Sequence, residues 1–443
     1  MTAPQPPASA APARHRNDWR VLLVAFVAAG VVESQAFGHL GAFTPLFLQQ
    51  LRVPAAQIPQ WTGILGTLGF LIGLPLLPFW GVWADRYGRK LIIVRTAYIE
   101  AVLFTIVAFS PNVWVLAVGR LLTGFVFGNT GVMLALLADV TPRKRLGLAI
   151  GIAGSAFPLG SAIGPFVGGM IAQGPGIRTL LLLDAIASGV MGVLLTLIVR
   201  REPDWQPSRA RVGTLIRSAA RDIMASGRVV GLFATYFLAM FALSLATPFV
   251  PILLQRLYRG PSGQIAGMIG MTLAAAGCAM AVTTPLWGRL GDLAGRWRVL
   301  PVCLGALVAC LLGEALAPSL VPLRAAIFTV GLFQGAIGTT IIALLAVLAP
   351  VERRASILNF AMLPNQLSWF LAPISGAGLL ALAALNQLDP VTALRGLFGI
   401  GATVMGIACL LAIGLAVADG RRRRARPLPD HDAAREAATS AVH

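Results

Sequence analysis

Among the ionisable side chains inside long apolar runs of this 443-residue chain are Glu33, Glu100, Arg120 and Asp184. An ionised group at the centre of a membrane span costs roughly 2.5–3.5 kcal/mol on insertion scales. Groups kept against that cost are candidates for proton uptake, ion pairing or capture of a charged solute. Depth sorts them. Glu33 lies 13 residues past Arg20, about 20 Å from the inner end of its run at helical rise. Arg120 lies 8 residues past Asn112, which leaves it about 18 Å from the inner face of a core about 30 Å thick. The two therefore sit at similar depth. The expectation is that Glu33 takes and releases a proton while Arg120 stabilises its carboxylate; the plainer alternative is an ion pair that never titrates. Asp184 falls about 9 Å below the outer surface, and His39 lies in the outer half of its run. His39 is a possible proton relay or, more simply, a packing residue.

The rest of the chain must hold these groups in a membrane. It is 57% hydrophobic and 12% charged, against about 25% charge in soluble domains. That much apolar surface cannot be hidden in one soluble core. With about 20 residues per span, the length admits about a dozen. The apolar runs place spans near 20–48, 60–82, 90–110, 112–138, 147–172 and 178–200, then 229–254, 264–287, 298–317, 323–349, 356–383 and 393–418. Residues 1–18 read as a disordered N-tail, 19–200 and 229–420 as two six-helix bundles, and 421–443 as a basic C-tail. Between the bundles, 201–228 reads as a basic linker whose Leu215-Ile216 and Ile223-Met224 pattern predicts a surface amphipathic helix.

The net charge of +18 does not point to nucleic acid, because the basic residues occupy the gaps between apolar runs. With both termini inside, inner segments carry 27 of the 35 Lys and Arg residues. Six fall outside (Arg52, Arg178, Arg256, Arg259, Arg324, Arg395), and Arg95 and Arg120 lie within spans. The positive-inside rule then predicts cytoplasmic termini. The cysteines, Cys278, Cys303, Cys310 and Cys409, lie in apolar runs without metal-ligand spacing and read as packing residues.

The halves repeat. Pro45 matches Pro251, Asp85 matches Asp292 and Pro165 matches Pro373, at offsets of 206, 207 and 208 residues. Pro78-Phe79-Trp80-Gly81 matches Pro285-Leu286-Trp287-Gly288. Two copies of one six-span unit are the arrangement of a secondary transporter. The repeat includes a polar loop, Gly81-Val82-Trp83-Ala84-Asp85-Arg86-Tyr87-Gly88-Arg89-Lys90, which returns as Gly288 to Arg296. Gly81 lets span 2 end close to a neighbour, and Gly88 permits a turn that a Cβ would hinder. Asp85 can accept from Arg89 or face a helix N-terminus. With Arg86, Asp139, Asp292 and Arg296, this cluster is expected to latch the two halves at the cytoplasmic side. In the fifth span, Gly160, Gly164 and Gly168 form a stripe at spacing i, i+4, i+8, with Pro165 and Gly169 beside it. The stripe allows close helix contact and the proline bends the helix, so the span is expected to seal the outer side between the halves.

These residues resemble the major facilitator superfamily over about 20–420. The loop Gly81 to Lys90 looks like the family signature between spans 2 and 3. Gly160-Ser161-Ala162-Ile163-Gly164-Pro165-Phe166-Val167-Gly168-Gly169 is similar to the antiporter motif of its drug:proton exporters. Arg120-Leu121-Leu122-Thr123-Gly124 resembles their basic motif. The resemblance implies an all-α membrane protein of twelve transmembrane helices in two pseudo-symmetric six-helix bundles. It implies that Glu33 and Arg120 lie on cavity-lining spans and that spans 3 and 6 are peripheral, which leaves Glu100 and Asp184 as structural acids or lipid-side entry points. Asn129, Gln334, Asn359, Asn365, Gln366 and Trp369 are further possible substrate contacts. Glu314, the one acid buried in the second half, is expected to reach water by snorkelling.

The resulting expectation is a monomeric exporter in a bacterial cytoplasmic membrane that exchanges protons for a small organic solute, with membrane lipids and no nucleic acid as partners. The proton gradient supplies the energy and no cofactor or metal is expected, since there is no P-loop and no metal cluster. No nucleophile and base set points to an enzyme. The alternatives are a carrier for one metabolite, sugar or lysolipid, and a transporter-like sensor.

Overall fold

The computed structural model describes residues 18–200, 212–349, 357–358 and 360–425. Among them are twelve helices long and apolar enough to cross a bilayer. Spans 1 to 3 are Trp19–Gln50, Ile58–Tyr87 and Arg89–Ala108. Span 4 comprises Val113–Leu122, a 3-10 turn Thr123–Phe125 and Asn129–Val140. Span 5 comprises Leu146–Gly154 and Ala156–Gln173, and span 6 is Ile177–Ile198. A helix at Val212–Met224 lies between the halves in the chain. Span 7 comprises Gly227–Ala246 and Val250–Leu257, spans 8 and 9 are Ile265–Ala294 and Arg296–Leu316, and span 10 is Leu320–Leu348. Span 11 is Leu363–Leu385 and span 12 is Pro390–Ala425. Span 11 begins later than its apolar run predicts, because 360–362 form a turn. Span 12 continues into the first arginines of the tail.

The packing repeats with the sequence. Span 1 packs on span 5, as span 7 does on span 11. Span 3 packs on span 6, as span 9 does on span 12. Across the halves, span 5 meets span 8 and span 11 meets span 2, contacts that the repeat interchanges. Arginines tie the ends in the same way. Arg178 donates to the carbonyls of Ala108 and Ser110 at 2.8 and 2.9 Å, covering the end of span 3. Arg395 donates to the Ala317 carbonyl at the end of span 9. A cation at a helix C-terminus meets carbonyls that lack helical partners and the negative end of the dipole. Val24, Leu197 and Leu316 are exposed apolar residues on the bundle perimeter, where lipid replaces water as the solvent.

The polar segment between spans 2 and 3 is mostly helix. Span 2 runs through Tyr87 and only Gly88, at φ 93°, makes the turn. The second copy does the same, with helix to Ala294 and Gly295 at φ 92°. Polar residues do not end a helix merely by leaving the apolar core; a residue at positive φ does, and glycine takes it without strain.

The halves meet firmly at one end. Gln49 and Gln255 exchange side-chain amide hydrogen bonds of 2.8 and 3.1 Å. Thr67 donates to the Phe370 carbonyl at 3.0 Å. A Cβ on Gly169 would stand 2.9 Å from the Ala266 carbonyl of span 8. At the opposite end, marked by Gly88 and Gly295, no described hydrogen bond crosses between the halves.

Candidate functional site

Span 4 is broken beside Glu33. Gly128 adopts φ 86° and a Cβ there would stand 2.5 Å from Trp80 Cδ1, so no other residue fits this corner without a shift. Asn129 opens the second half of the span, with its Oδ1 buried and unpaired in the protein. Glu33 is half-buried on span 1, and its carboxyl lies within side-chain hydrogen-bonding reach of Asn129. A helix N-terminus with an amide at its head favours an anion in front of it.

Arg120 does not pair with Glu33. Its Nε donates to the Leu65 carbonyl of span 2 at 3.0 Å, and no ion pair joins the two among the described residues. Depth along two helices sets height but not the direction in which a side chain points, and Arg120 points toward span 2. The cation that sequence reasoning left without a role is Arg95. It donates to the Phe125 and Phe127 carbonyls at 2.7 and 3.4 Å and lies 3.3 Å from the centroid of the Trp80 ring. It therefore serves carbonyls released by the break in span 4. The signal was present as an arginine in an apolar run opposite a Gly-Asn pair.

Spans 3 and 6 are not peripheral in their chemistry. Glu100 and Asp184 are each 3% exposed, as is His39. His39 Nδ1 lies 3.0 and 2.9 Å from the two Asp184 carboxyl oxygens, and its Nε2 lies 2.8 Å from the Gly164 carbonyl. Glu100 stands beside Ser188 and within electrostatic reach of both Glu33 and Asp184. Neither its Oε1 nor Ser188 Oγ has a hydrogen-bond partner in the protein. Glu33, Asn129, Glu100, Asp184 and His39 thus gather in the first half. Glu314 is 4% exposed and does not snorkel to water; span 9 turns that face inward.

The glycine stripe has a different partner from the one expected. Gly160 lies against Val31 and Ser34, Gly164 against Gln35 and Gly168 against His39 and Phe43, all on span 1 of the same half. The contact with the other half falls on the next face of span 5: Pro165 and Gly169 meet Gly270, and Ser161 and Ala162 meet Gly277. The i, i+4, i+8 pattern identifies a smooth face, but not which neighbour it serves.

Two ion pairs described in the repeated polar segment lie within one half each. Arg89 donates to Asp139 at 2.5 Å, and Arg296 donates to Asp292 at 2.6 Å, four residues apart on the chain. Neither joins the halves. Arg86 is exposed, with its guanidinium 5.6 Å from the Tyr87 ring centroid. The side chains of Gly81 and Asp85 lie outside the described residues, as does Asn359. Gln334, Asn365, Gln366 and Trp369 are half-buried on spans 10 and 11, and Asn365 Oδ1 has no partner in the protein. No described hydrogen bond joins these four to one another.

A family model described as Major Facilitator Superfamily matches residues 21–373, with a second match over 232–441. Among similar proteins, a multi-drug resistance efflux pump PmrA homolog of Lactococcus lactis is 26% identical over 360 residues, covering 81% of this chain and 88% of that one. Multidrug resistance protein MdtG of Salmonella arizonae is 27% identical over 359 residues, with coverage of 81% and 88%. A solved bacterial homolog of the human lysosomal transporter Spinster, inward-facing and unoccupied, superposes with a TM-score of 0.73 at 16% identity, covering 90% of this chain and 97% of that one. A mutant of the nucleoside transporter NupG gives 0.74 at 14% identity, with coverage of 89% and 99%.

Proposed function

The chain belongs to the major facilitator superfamily, and from that premise we propose that it is a proton-coupled antiporter that exports lipophilic organic solutes by alternating access. The observation that carries the reading is Glu33, an acid on span 1 set beside Asn129 at the broken span 4. A protonated Glu33 is neutral and tolerates a closed, dry site. An ionised Glu33 is stabilised by the helix N-terminus and attracts a cationic solute. Proton and solute can therefore compete for one carboxylate, which is the minimum an exchanger requires. The relatives named for multidrug resistance support the cargo class. The excess of basic residues in alternate loops supports cytoplasmic termini in a bacterial inner membrane. The firm contacts at the Gln49 end then close the outer face.

The test uses proteoliposomes with an acidic lumen, a clamped membrane potential and tetraphenylphosphonium as the organic cation. The wild type should accumulate the probe. Glu33→Gln should lose pH-driven accumulation while still being expressed and reconstituted like the wild type. Unchanged accumulation in Glu33→Gln removes the assignment to Glu33. Transport confined to one metabolite, sugar or lysolipid would indicate a dedicated carrier, and no solute movement at all would indicate a sensor.

A further inference from the structure

The buried His39 and Asp184 contacts limit where protons can be. A backbone carbonyl only accepts, so His39 Nε2, 2.8 Å from the Gly164 oxygen, carries a hydrogen and donates it. His39 Nδ1 faces both Asp184 oxygens at 3.0 and 2.9 Å. A second proton must lie between them, because an Nδ1 lone pair facing a carboxylate would leave two buried acceptors opposed. The pair holds two protons and is neutral as a unit, whether the shared proton rests on nitrogen or oxygen.

The element that fixes this state also meets the other half. The Gly164 carbonyl belongs to span 5, and a Cβ on Gly168 would collide with the His39 ring. The neighbouring face of the same segment packs on span 8, with Pro165 and Gly169 against Gly270. Motion of the second half therefore acts on the segment that holds Nε2. A cavity of about 10 Å³ adjoins His39, lined by Phe43, Thr44, Phe47 and Leu116; that is the room of about one water. The charged surroundings are few. Glu33 is on the same helix, Glu100 comes from span 3, and Arg178 on span 6 is engaged with the Ala108 and Ser110 carbonyls. Arg120 of span 4 is bonded to Leu65, and span 5 has no titratable residue.

We propose that His39 and Asp184 form a second proton-binding site, locked by the Gly164 carbonyl and released when span 5 withdraws from span 1. With the carbonyl away, the Nε2 proton can pass to water. The electron pair of that N–H bond stays on nitrogen, and the remaining Nδ1–H donates to the Asp184 carboxylate. Rebinding of a proton and return of the carbonyl restore the neutral pair. Glu100, beside Ser188, with its Oε1 unpartnered and within electrostatic reach of both Asp184 and Glu33, then couples the two proton sites. The inference rests on the antiport reading for its purpose, but its test does not.

His39 is the sole histidine between residues 18 and 425. Replacing His15, His431 and His443 with glutamine in the full chain leaves one imidazole to follow by nitrogen-15 NMR in lipid nanodiscs. Cysteines placed at Gln49 and Gln255, in a chain lacking the four native cysteines, allow a short thiol-reactive bridge that a reductant removes. With the bridge in place, Nε2 should remain protonated and the ring should not titrate from acid to alkaline pH. Reduction, with tetraphenylphosphonium present, should restore titration at Nε2. Gly168→Ala should permit titration even with the bridge. Identical titration in bridged and reduced wild-type protein, or a bare Nε2 in the bridged state, would overturn the proposal. Bridged titration needs no transport, so its failure is separable from a failure of antiport seen with Glu33→Gln.

Discussion

Trp80 and Trp287 occupy the same place in the two halves, 207 residues apart, and do opposite things. Trp287 donates its indole N–H to the Leu332 carbonyl at 2.6 Å and stacks near Phe333, against a span 10 that is continuous from Leu320 to Leu348. The Trp80 N–H has no partner in the protein, and its ring instead faces the Arg95 guanidinium. Span 4 is broken there, and Arg95 reaches past the ring to serve the freed carbonyls. The position related to Arg95 by the repeat is Val302, which is exposed. One scaffold therefore carries two solutions. The second half keeps a whole helix. The first half gives one up, gains a helix N-terminus next to Glu33, and uses a cation to hold the break together.

The largest effect should come from removing that cation. Arg95→Leu leaves the Phe125 and Phe127 carbonyls unserved and the Trp80 face empty. Hydrogen bonds from a charged donor contribute about 1.5–3 kcal/mol, and a desolvated cation–π contact about 2. The combined loss should be about 3–5 kcal/mol and should appear as a lower midpoint in detergent unfolding of the purified protein. If Arg95→Leu unfolds with the wild-type midpoint, Arg95 does not hold the break.

Trp287→Phe should cost less, about 1 kcal/mol, because it removes one neutral hydrogen bond and keeps most of the ring. The comparison sharpens with Trp80→Phe, which removes an indole N–H that bonds nothing in the protein. Measured in the same unfolding assay, the Trp80 substitution should be the milder. The reverse order would mean that the Trp80 indole, through its contact with Arg95, contributes more than the Trp287 hydrogen bond.

Much of this was legible in the sequence because it depends on composition along one line. Hydropathy locates the spans, and a repeat offset of 206 to 208 residues divides the halves. What one line cannot carry is azimuth. Glu33 and Arg120 agree in depth yet face different neighbours. The stripe of Gly160, Gly164 and Gly168 declares a smooth face but not that span 1 lies on it. The Arg89 and Arg296 pairs were foreseeable as ionic contacts, but a charge count cannot tell whether a pair stays within a half or crosses. The break in span 4 had a local mark in Gly128-Asn129, which a long apolar run concealed. His39 and Asp184, 145 residues apart, meet only because spans 1, 5 and 6 pack together.

The smallest effect tests how far the two halves diverge at their ends. Span 6 is preceded by Gly176, which offers no side-chain cap, whereas span 12 is preceded by Asp389. Asp389 accepts from the Thr392 backbone N–H at 2.9 Å and from its hydroxyl at 3.1 Å. The backbone hydrogen bond from Thr392 is the main cause that holds this carboxyl below its ordinary value. A depressed carboxyl stabilises the fold above the ordinary aspartate range, and the contribution fades as pH falls through the lower folded value. Asp389→Ala should therefore lower the melting temperature slightly at neutral pH, and the gap from wild type should close in acid. A gap that stays constant as the solution is acidified would show that the residue caps span 12 without using its charge, which would bring the two ends closer than their sequences suggest.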